Sequence, residues 1–342
     1  DSIYSKADKV RKFVFPEDHA AHNDYKIEWW YFTGNLKTSN GRLFGYQFTI
    51  FRNALKDKLP DINSTFSTNQ LFFYHLTLSD IENNKFYYYE NYARGAAGIA
   101  GTNVNPLKIW VNQSSITGIA DPNEPSKVEF NIKAIADDFT IDFNLIPQKN
   151  IVLHGNQGLS YKSKDTSNAS YYYSFTRLQT EGNIFFKRKN YNVNGFSWFD
   201  REWSTSALSS EQTGWDWFSI QLDNNAELMY FKLRNKSGEI DFAKSTLINS
   251  DGSYQNLKQD DVQIEIQDYW QNDEGIEYPS KWKIKIPERN IDLNIQTRIP
   301  NQELKLAIRY YEGSIKVDGM YDKQKINGSG YVEMTGYNNQ KK

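Results

Sequence analysis

Residues 198–203 read Trp-Phe-Asp-Arg-Glu-Trp. On a strand, Asp200 and Glu202 point the same way with their Cα atoms about 6.5–7 Å apart, and Trp198 shares that face. A carboxylic acid wedged among indoles is desolvated and its pKa rises. Such a group can act as a general acid near neutral pH. The competing reading places both acids at a barrel rim, paired with Arg or Lys, because structural ion pairs also perturb pKa. His19 and His22, with Asp18 and Glu28 nearby, form a second constellation. An imidazole titrates near 6.5, which suits proton transfer. The same groups resemble metal ligands, but zinc needs three or four in the right geometry, and no metal is assigned. Pro16 just upstream argues for a loop, so the alternative is an ordered N-terminal arm hydrogen-bonded over a barrel mouth.

Most of the nine tryptophans gather beside acids, in Glu28-Trp29-Trp30-Tyr31-Phe32, in 198–203, and in Gly214-Trp215-Asp216-Trp217-Phe218. An indole N–H seeks a partner when buried. These clusters therefore describe either a strand-lined pocket or a core with polar anchors. Tyr171-Tyr172-Tyr173 and Tyr87-Tyr88-Tyr89 read as half-buried strands, with a pocket wall as the sharper alternative. The Gly95–Gly101 run lacks the strand–turn–helix context of a phosphate loop. Gly195-Phe196-Ser197-Trp198-Phe199 misses the second glycine of a nucleophile elbow, so serine hydrolase chemistry is unsupported.

Strands must position these groups. The 342-residue chain holds 23 Tyr and 21 Phe, which suit a half-buried pleated surface. Period-two alternation recurs at Val128–Ile132, Ile141–Leu145, Val262–Ile266, Trp282–Ile286, Ile291–Ile295 and Leu304–Ile308. Turn signals such as Asn40-Gly41, Asp251-Gly252 and Asn327-Gly328 separate them. Thr68–Asp80 favours a strand, and Thr205–Gln212 reads as a short helix or a linker. Two internal echoes appear. Trp30–Leu36 followed by Leu43–Arg52 matches Trp217–Leu222 followed by Glu227–Arg234. Tyr92, Gly95 and Gly101 are matched with Tyr311, Gly313 and Gly319. The reading is all-β: two antiparallel lipocalin-like barrels in tandem, residues 1–209 and 210–342, joined near Ser204–Thr213. In such a barrel, Glu28, Trp30 and Phe32 share one face and Trp29 and Tyr31 the other. One set should line a lumen able to hold a small ligand, or else the interface between barrels.

The net charge of −2 with scattered Lys and Arg shows no nucleic-acid footprint. With no cysteine, disulfides, thiolate metal sites and a Cys nucleophile are excluded. No apolar run approaches the ~20 residues of a membrane span. A start at Asp1 without a signal-like stretch reads as a mature or trimmed form.

Long, dispersed motifs resemble the AttH-like family, also called the carotenoid 1,2-hydratase (hydroxyneurosporene synthase) family. They are Phe15-Pro16-Glu17-Asp18-His19, Glu28–Gly34, Gly45-Tyr46-Gln47, Ala169–Ser174, Val193–Gly195 through Asp200–Trp203, Gly214–Trp217 and Gly328–Tyr337. The resemblance implies tandem lipocalin-like barrels with a cavity at or between them. It also implies export to the periplasm or cell envelope, a "predicted secreted hydrolase" label, and in some relatives an ABC-type export system as partner. Carotenoid hydratases carry a more His-rich segment where this chain has Ser197–Trp203, a departure from their pattern.

Two functions compete. In the first, an apolar lipid- or terpenoid-like ligand undergoes cofactor-free hydration or isomerisation of a C=C bond. Asp200 or Glu202 gives the proton, and His19, His22 or the other acid positions water. Glu28, Trp29, Trp30, Gln47, Tyr173, Trp198, Trp203, Trp215 and Trp217 hold the ligand. In the second, the protein is a non-catalytic envelope carrier or chaperone for a lipid-like ligand. A glycosidase-like pair of acids is a third idea, with only carboxyl spacing behind it.

Overall fold

The computed structural model describes residues 3–55, 68–164, 166, 168–205, 208–209 and 211–339. Three positions of the proposed 204–213 junction (206, 207 and 210) lie outside the described residues. Thirteen strands build the first sheet: β1 (Ile27–Lys37), β2 (Leu43–Ala54), β3 (Gln70–Asp80), β4 (Lys85–Arg94), β5 (Ala100–Asn103), β6 (Leu107–Val111), β7 (Ser114–Ala120), β8 (Val128–Ile135), β9 (Phe139–Pro147), β10 (Val152–Leu153), β11 (Leu159–Tyr161), β12 (Ala169–Phe186) and β13 (Lys189–Ser204). Ten build the second: β14 (Gln212–Leu222), β15 (Glu227–Asn235), β16 (Ile240–Ile248), β17 (Tyr254–Leu257), β18 (Gln263–Gln271), β19 (Glu277–Ile286), β20 (Ile291–Thr297), β21 (Glu303–Lys305), β22 (Arg309–Tyr321) and β23 (Gln324–Thr335). Both sheets are antiparallel and curled, one into a barrel and the other into a half-barrel, as the lipocalin-like tandem reading requires. Among the described residues, no helix is long and apolar enough to cross a membrane.

The strand orders repeat. The first sheet runs β3-β2-β1-β13-β12-β9-β8 through its centre, and the second runs β16-β15-β14-β23-β22-β20-β19. Thus β1–β2 matches β14–β15, which is the first echo read from sequence. The second echo falls on elements that are not equivalent: Tyr92 on β4, Gly95 just beyond it and Gly101 on β5 stand against β22 alone. The true counterparts are Gly182 on β12 and Gly319 on β22. At each, an added Cβ would lie 2.1 Å from a neighbouring carbonyl oxygen, Asp142 O or Asp292 O. Only a residue without a side chain lets the paired strand approach so closely.

Both interiors are packed. In the first, Phe32, Phe130, Phe175 and Phe199 meet across the barrel, with Phe32 and Phe199 centroids 4.5 Å apart. In the second, Phe218 meets Trp282 edge-on at 5.2 Å. Of the two places left open for a ligand, the barrel interior is crossed by the fold's own rings at this level, and the Trp29 and Tyr31 set faces the second sheet. The Leu304–Ile308 alternation does not form one strand: β21 stops at Lys305, and residues 306–308 turn the chain so that Lys305 pairs with Arg309. Ile308, at the tip, is exposed.

Candidate active site between the two sheets

Register decides which side chains meet. Tyr31 on β1 pairs with Asp200 on β13, and Asp200 with Ser174 on β12. One rung along, Trp29 pairs with Glu202, and Glu202 with Tyr172. Strand alternation puts this set on the outer face of the first sheet. There it packs against the outer face of the second, where Trp217 pairs with Phe231 and Glu333, and Glu333 with Glu312. The seam joins Tyr31, Tyr172, Trp198, Trp217, Met229 and Phe231 in one buried cluster, with Trp29, Tyr161, Leu208 and Trp215 half-buried at its margin.

Asp200 sits in this seam, 4% exposed. Trp198 Nε1 donates to its Oδ1 at 2.6 Å, Tyr172 OH to its Oδ2 at 2.8 Å, and Ser174 Oγ is bonded to Oδ1. Trp217 Nε1 in turn donates to Tyr172 OH at 3.1 Å. Burial pushes the Asp200 carboxyl up to about 7; the bonds to Ser174, Trp198 and Tyr172 oppose this, and the nearby charge of Glu202 adds to it. No cation pairs with Asp200 among the described residues. Glu202 differs: Lys162 Nζ lies 2.8 Å from its Oε1, and Ser170 Oγ also donates to it. The Lys162 ammonium also lies 5.1 Å from the Tyr172 ring centroid and 4.5 Å from that of Phe231.

The second sheet contributes its own acids. Glu312 is fully buried and Glu333 partly open. They face each other as a cross-strand pair, and Glu312 Oε1 is buried without a hydrogen-bond partner. Tyr31 OH donates to Glu312 at 2.8 Å, and Trp215 Nε1 donates to Glu333. Burial raises both carboxyls; for Glu312 the neighbouring Glu333 raises it further. Among the described residues, no cation pairs with either.

The structure separates the remaining residues named from sequence. Glu28, Trp30, Tyr173 and Trp203 turn into the first barrel, with His19 and His22 on the N-terminal arm beside them. His19 Nδ1 lies 2.6 Å from Tyr173 OH, and Trp30 Nε1 donates to the His19 carbonyl at 2.8 Å. Burial lowers His19 to about 4. His22 stacks on Trp203 at 3.9 Å and reaches Asp18 at 2.9 Å and Glu28 at 3.3 Å. Glu28 is clamped by Arg52 and Arg201; burial alone would raise its pKa, but Arg201, His22 and Arg52 hold it well below the usual carboxylate range. Arg11 and the Val14 N–H occupy Asp18 in the same way. These carboxylates are committed to guanidinium and backbone donors. Among the described residues, no group of three or more His, Cys, Asp and Glu is arranged to hold a metal ion. Gln47 lies on the seam face, with its Oε1 buried and unpartnered.

Sequence reading did not single out His154, Ser174, Glu312 or Glu333 as site residues. Ser174 was recoverable, because it alternates with Tyr172 on a strand that pairs with Asp200. His154, Glu312 and Glu333 carry no local signal. His154 comes from the segment after β10, which pairs with β12 of the same sheet, whereas Glu312 and Glu333 reach 198–203 only by docking of the sheets.

The AttH-like family model matches residues 6–337. The chain belongs to the AttH-like family. A crystal structure of an AttH from Nitrosomonas europaea is similar with a TM-score of 0.84 and 30% identity, over 97% of this chain and 99% of that one. Kievitone hydratase from Nectria haematococca shares the fold at a TM-score of 0.73 and 15% identity, over 98% of this chain and 96% of that one. A kievitone hydratase from Fusarium solani subsp. phaseoli is 25% identical over 143 residues, 41% of this chain. That match spans 40% of the curated relative's length.

Proposed function

We propose that this AttH-like protein hydrates or isomerises a C=C bond of an apolar, unsaturated small molecule bound in the seam, without a cofactor. The carrying observation is Asp200, a buried carboxyl without a cation, ringed by Trp198, Tyr172 and, through Tyr172, Trp217. Its raised pKa keeps a proton available near neutrality. The proton passes from Asp200 Oδ1 to an alkene carbon, and the π electrons form the new C–H bond. The cation left on the other carbon faces indole and phenol rings, worth ~2 kcal/mol or more once water is excluded. Water then adds and gives up a proton; we assign that proton to Glu202, the carboxylate beside Lys162. Loss of a neighbouring proton instead gives the isomer. The hydratase name of two relatives is consistent with this chemistry.

The test is incubation with a panel of apolar alkenes in ¹⁸O-water. Addition of one labelled water, reduced by at least ~100-fold in Asp200→Asn with ligand binding retained, is the expected result. Undiminished turnover in Asp200→Asn would remove Asp200 from the chemistry. A carrier for a lipid-like ligand is the second reading, favoured by the Glu202–Lys162 ion pair, which leaves one of the two acids committed. Ligand that co-purifies and is released unchanged would favour it. We further propose that the protein works in the cell envelope beside an export system, as the family resemblance implies; cell fractionation checks this.

A further inference from the structure

Asp200 ends a chain of hydrogen bonds that leaves the seam, crosses to the second sheet and reaches solvent. His154 follows β10, where its N–H donates to the Tyr172 carbonyl at 3.1 Å and its ring lies 4.2 Å from the Tyr172 ring. Its Nε2 is 2.6 Å from Ser174 Oγ, which is bonded to Asp200 Oδ1. Its Nδ1 is 2.9 Å from Thr246 Oγ1 on β16. Thr246 Oγ1 is 3.0 Å from Asn256 Oδ1 on β17, and Asn256 Nδ2 donates to the Gly155 carbonyl at 2.7 Å. His154, Ser174 and Thr246 are buried, whereas Asn256 is exposed.

Counting protons gives the chain a direction. The Gly155 carbonyl fixes the Asn256 amide, so Oδ1 faces Thr246 and can only accept. Thr246 spends its single proton there and must accept from His154 Nδ1–H. A neutral imidazole has one N–H, so Nε2 is bare and accepts from Ser174. Ser174 has no proton left, and its bond to Asp200 must be donated by a protonated Asp200. When Asp200 ionises, every link reverses. Ser174 donates to the carboxylate, Nε2–H donates to Ser174, and Thr246 donates to Nδ1. Asn256 Oδ1 then turns to water, at little cost for an exposed group.

We propose that Ser174, His154, Thr246 and Asn256 form a proton wire that reloads Asp200 from solvent, with His154 exchanging tautomer at each passage. The inference rests on reading Asp200 as the acid. A water that takes the place of the turned Asn256 Oδ1 hands a proton to Thr246 Oγ1 and is left to recover one from bulk solvent. The hydroxyl's former proton moves to Nδ1, the Nε2 proton moves to Ser174, and the Ser174 proton moves to Asp200 Oδ1. Each hop breaks one O–H or N–H bond and forms another, and the intervening residues end uncharged. Burial and Lys162 lower His154 to about 3, so the ring stays neutral while it relays. The other groups facing the path are Glu202, Tyr172 and Trp198 beside Asp200, and Tyr31 with the Glu312–Glu333 pair across the seam. Product can thus occupy the seam while the acid is restored from behind.

The test is ¹⁵N NMR of the full chain with labelled histidine, with His154 assigned by its loss in His154→Gln. The wire requires Nδ1–H at pH 5 and Nε2–H at pH 9, with a midpoint near 7 and no imidazolium. Asp200→Asn cannot titrate and should freeze one tautomer at every pH. Thr246→Val removes the hydroxyl that bonds Nδ1 in both states and should slow tautomer exchange with solvent at least about tenfold, while Thr246→Ser should not. A single tautomer throughout, an imidazolium, or a switch that survives Asp200→Asn overturns the wire. Tautomer exchange as fast in Thr246→Val as in the wild type overturns its route to solvent. No substrate is used, so a failed hydration assay with the switch intact counts against the hydratase reading alone.

Discussion

Three hydrogen-bond donors around a carboxyl would ordinarily acidify it. Asp200 has them and is still pushed up to about 7, because the seam removes water and supplies no cation. This fixes a pH signature. An unfolded Asp titrates near 3.9, so between that value and about 7 the native state holds a proton the unfolded chain has lost. Stability from this group is complete below the unfolded value and is lost as pH rises through the folded one. Asp200→Asn should therefore gain on the wild type between pH 4 and 8, by a few kcal/mol at most, in urea denaturation at both pH values. An unchanged difference would mean Asp200 is ionised in the native state. Glu312→Gln should behave with the same sign, since its carboxyl is also raised by burial and by Glu333.

Elements were legible where alternation was sustained. β8, β9, β19 and β20 bury the residues their period-two patterns name. Leu304–Ile308 failed because three alternating positions also fit a short strand running into a hairpin tip: Leu304 is buried on β21, but no sheet covers Ile308. The misplaced glycine echo has a similar cause: spacing alone cannot separate a loop glycine from one forced by strand approach. Gly182→Ala and Gly319→Ala test the corrected pairing. Each Cβ would collide with a carbonyl, and each variant should lose roughly 2 kcal/mol or more in urea denaturation. Wild-type stability in either variant would count against the equivalence.

At the scale of the whole molecule, the site exists only while the two sheets stay docked. Glu227 on β15 is fully buried and takes Arg177 Nε at 2.5 Å and Lys149 Nζ at 2.7 Å, both from the first sheet's side. Removing Arg177 leaves the buried Glu227 with Lys149 alone, and losing a buried charge partner costs up to about 3–5 kcal/mol. Arg177→Ala should therefore lose about that much and split calorimetric unfolding into two transitions. A single transition at the wild-type temperature would show that the clamp does not hold the seam. Smaller ties also cross it, including His75 Nδ1 to Tyr310 OH at 2.5 Å and Ser79 Oγ to Gln302 Oε1 at 2.7 Å.

The sequence by itself determined the all-β class, the repeated hairpins and the shared face of Trp198, Asp200 and Glu202, because each follows from a two-residue period within one strand. It also named Trp215 and Trp217, whose indoles need polar partners. Tertiary structure alone decided that this face looks outward to a second sheet, while the barrel's own rings fill the lumen. It alone brought His154, Glu312 and Glu333 to the acid. Alternation tells which residues share a side; which side is dry depends on what the rest of the chain lays against it.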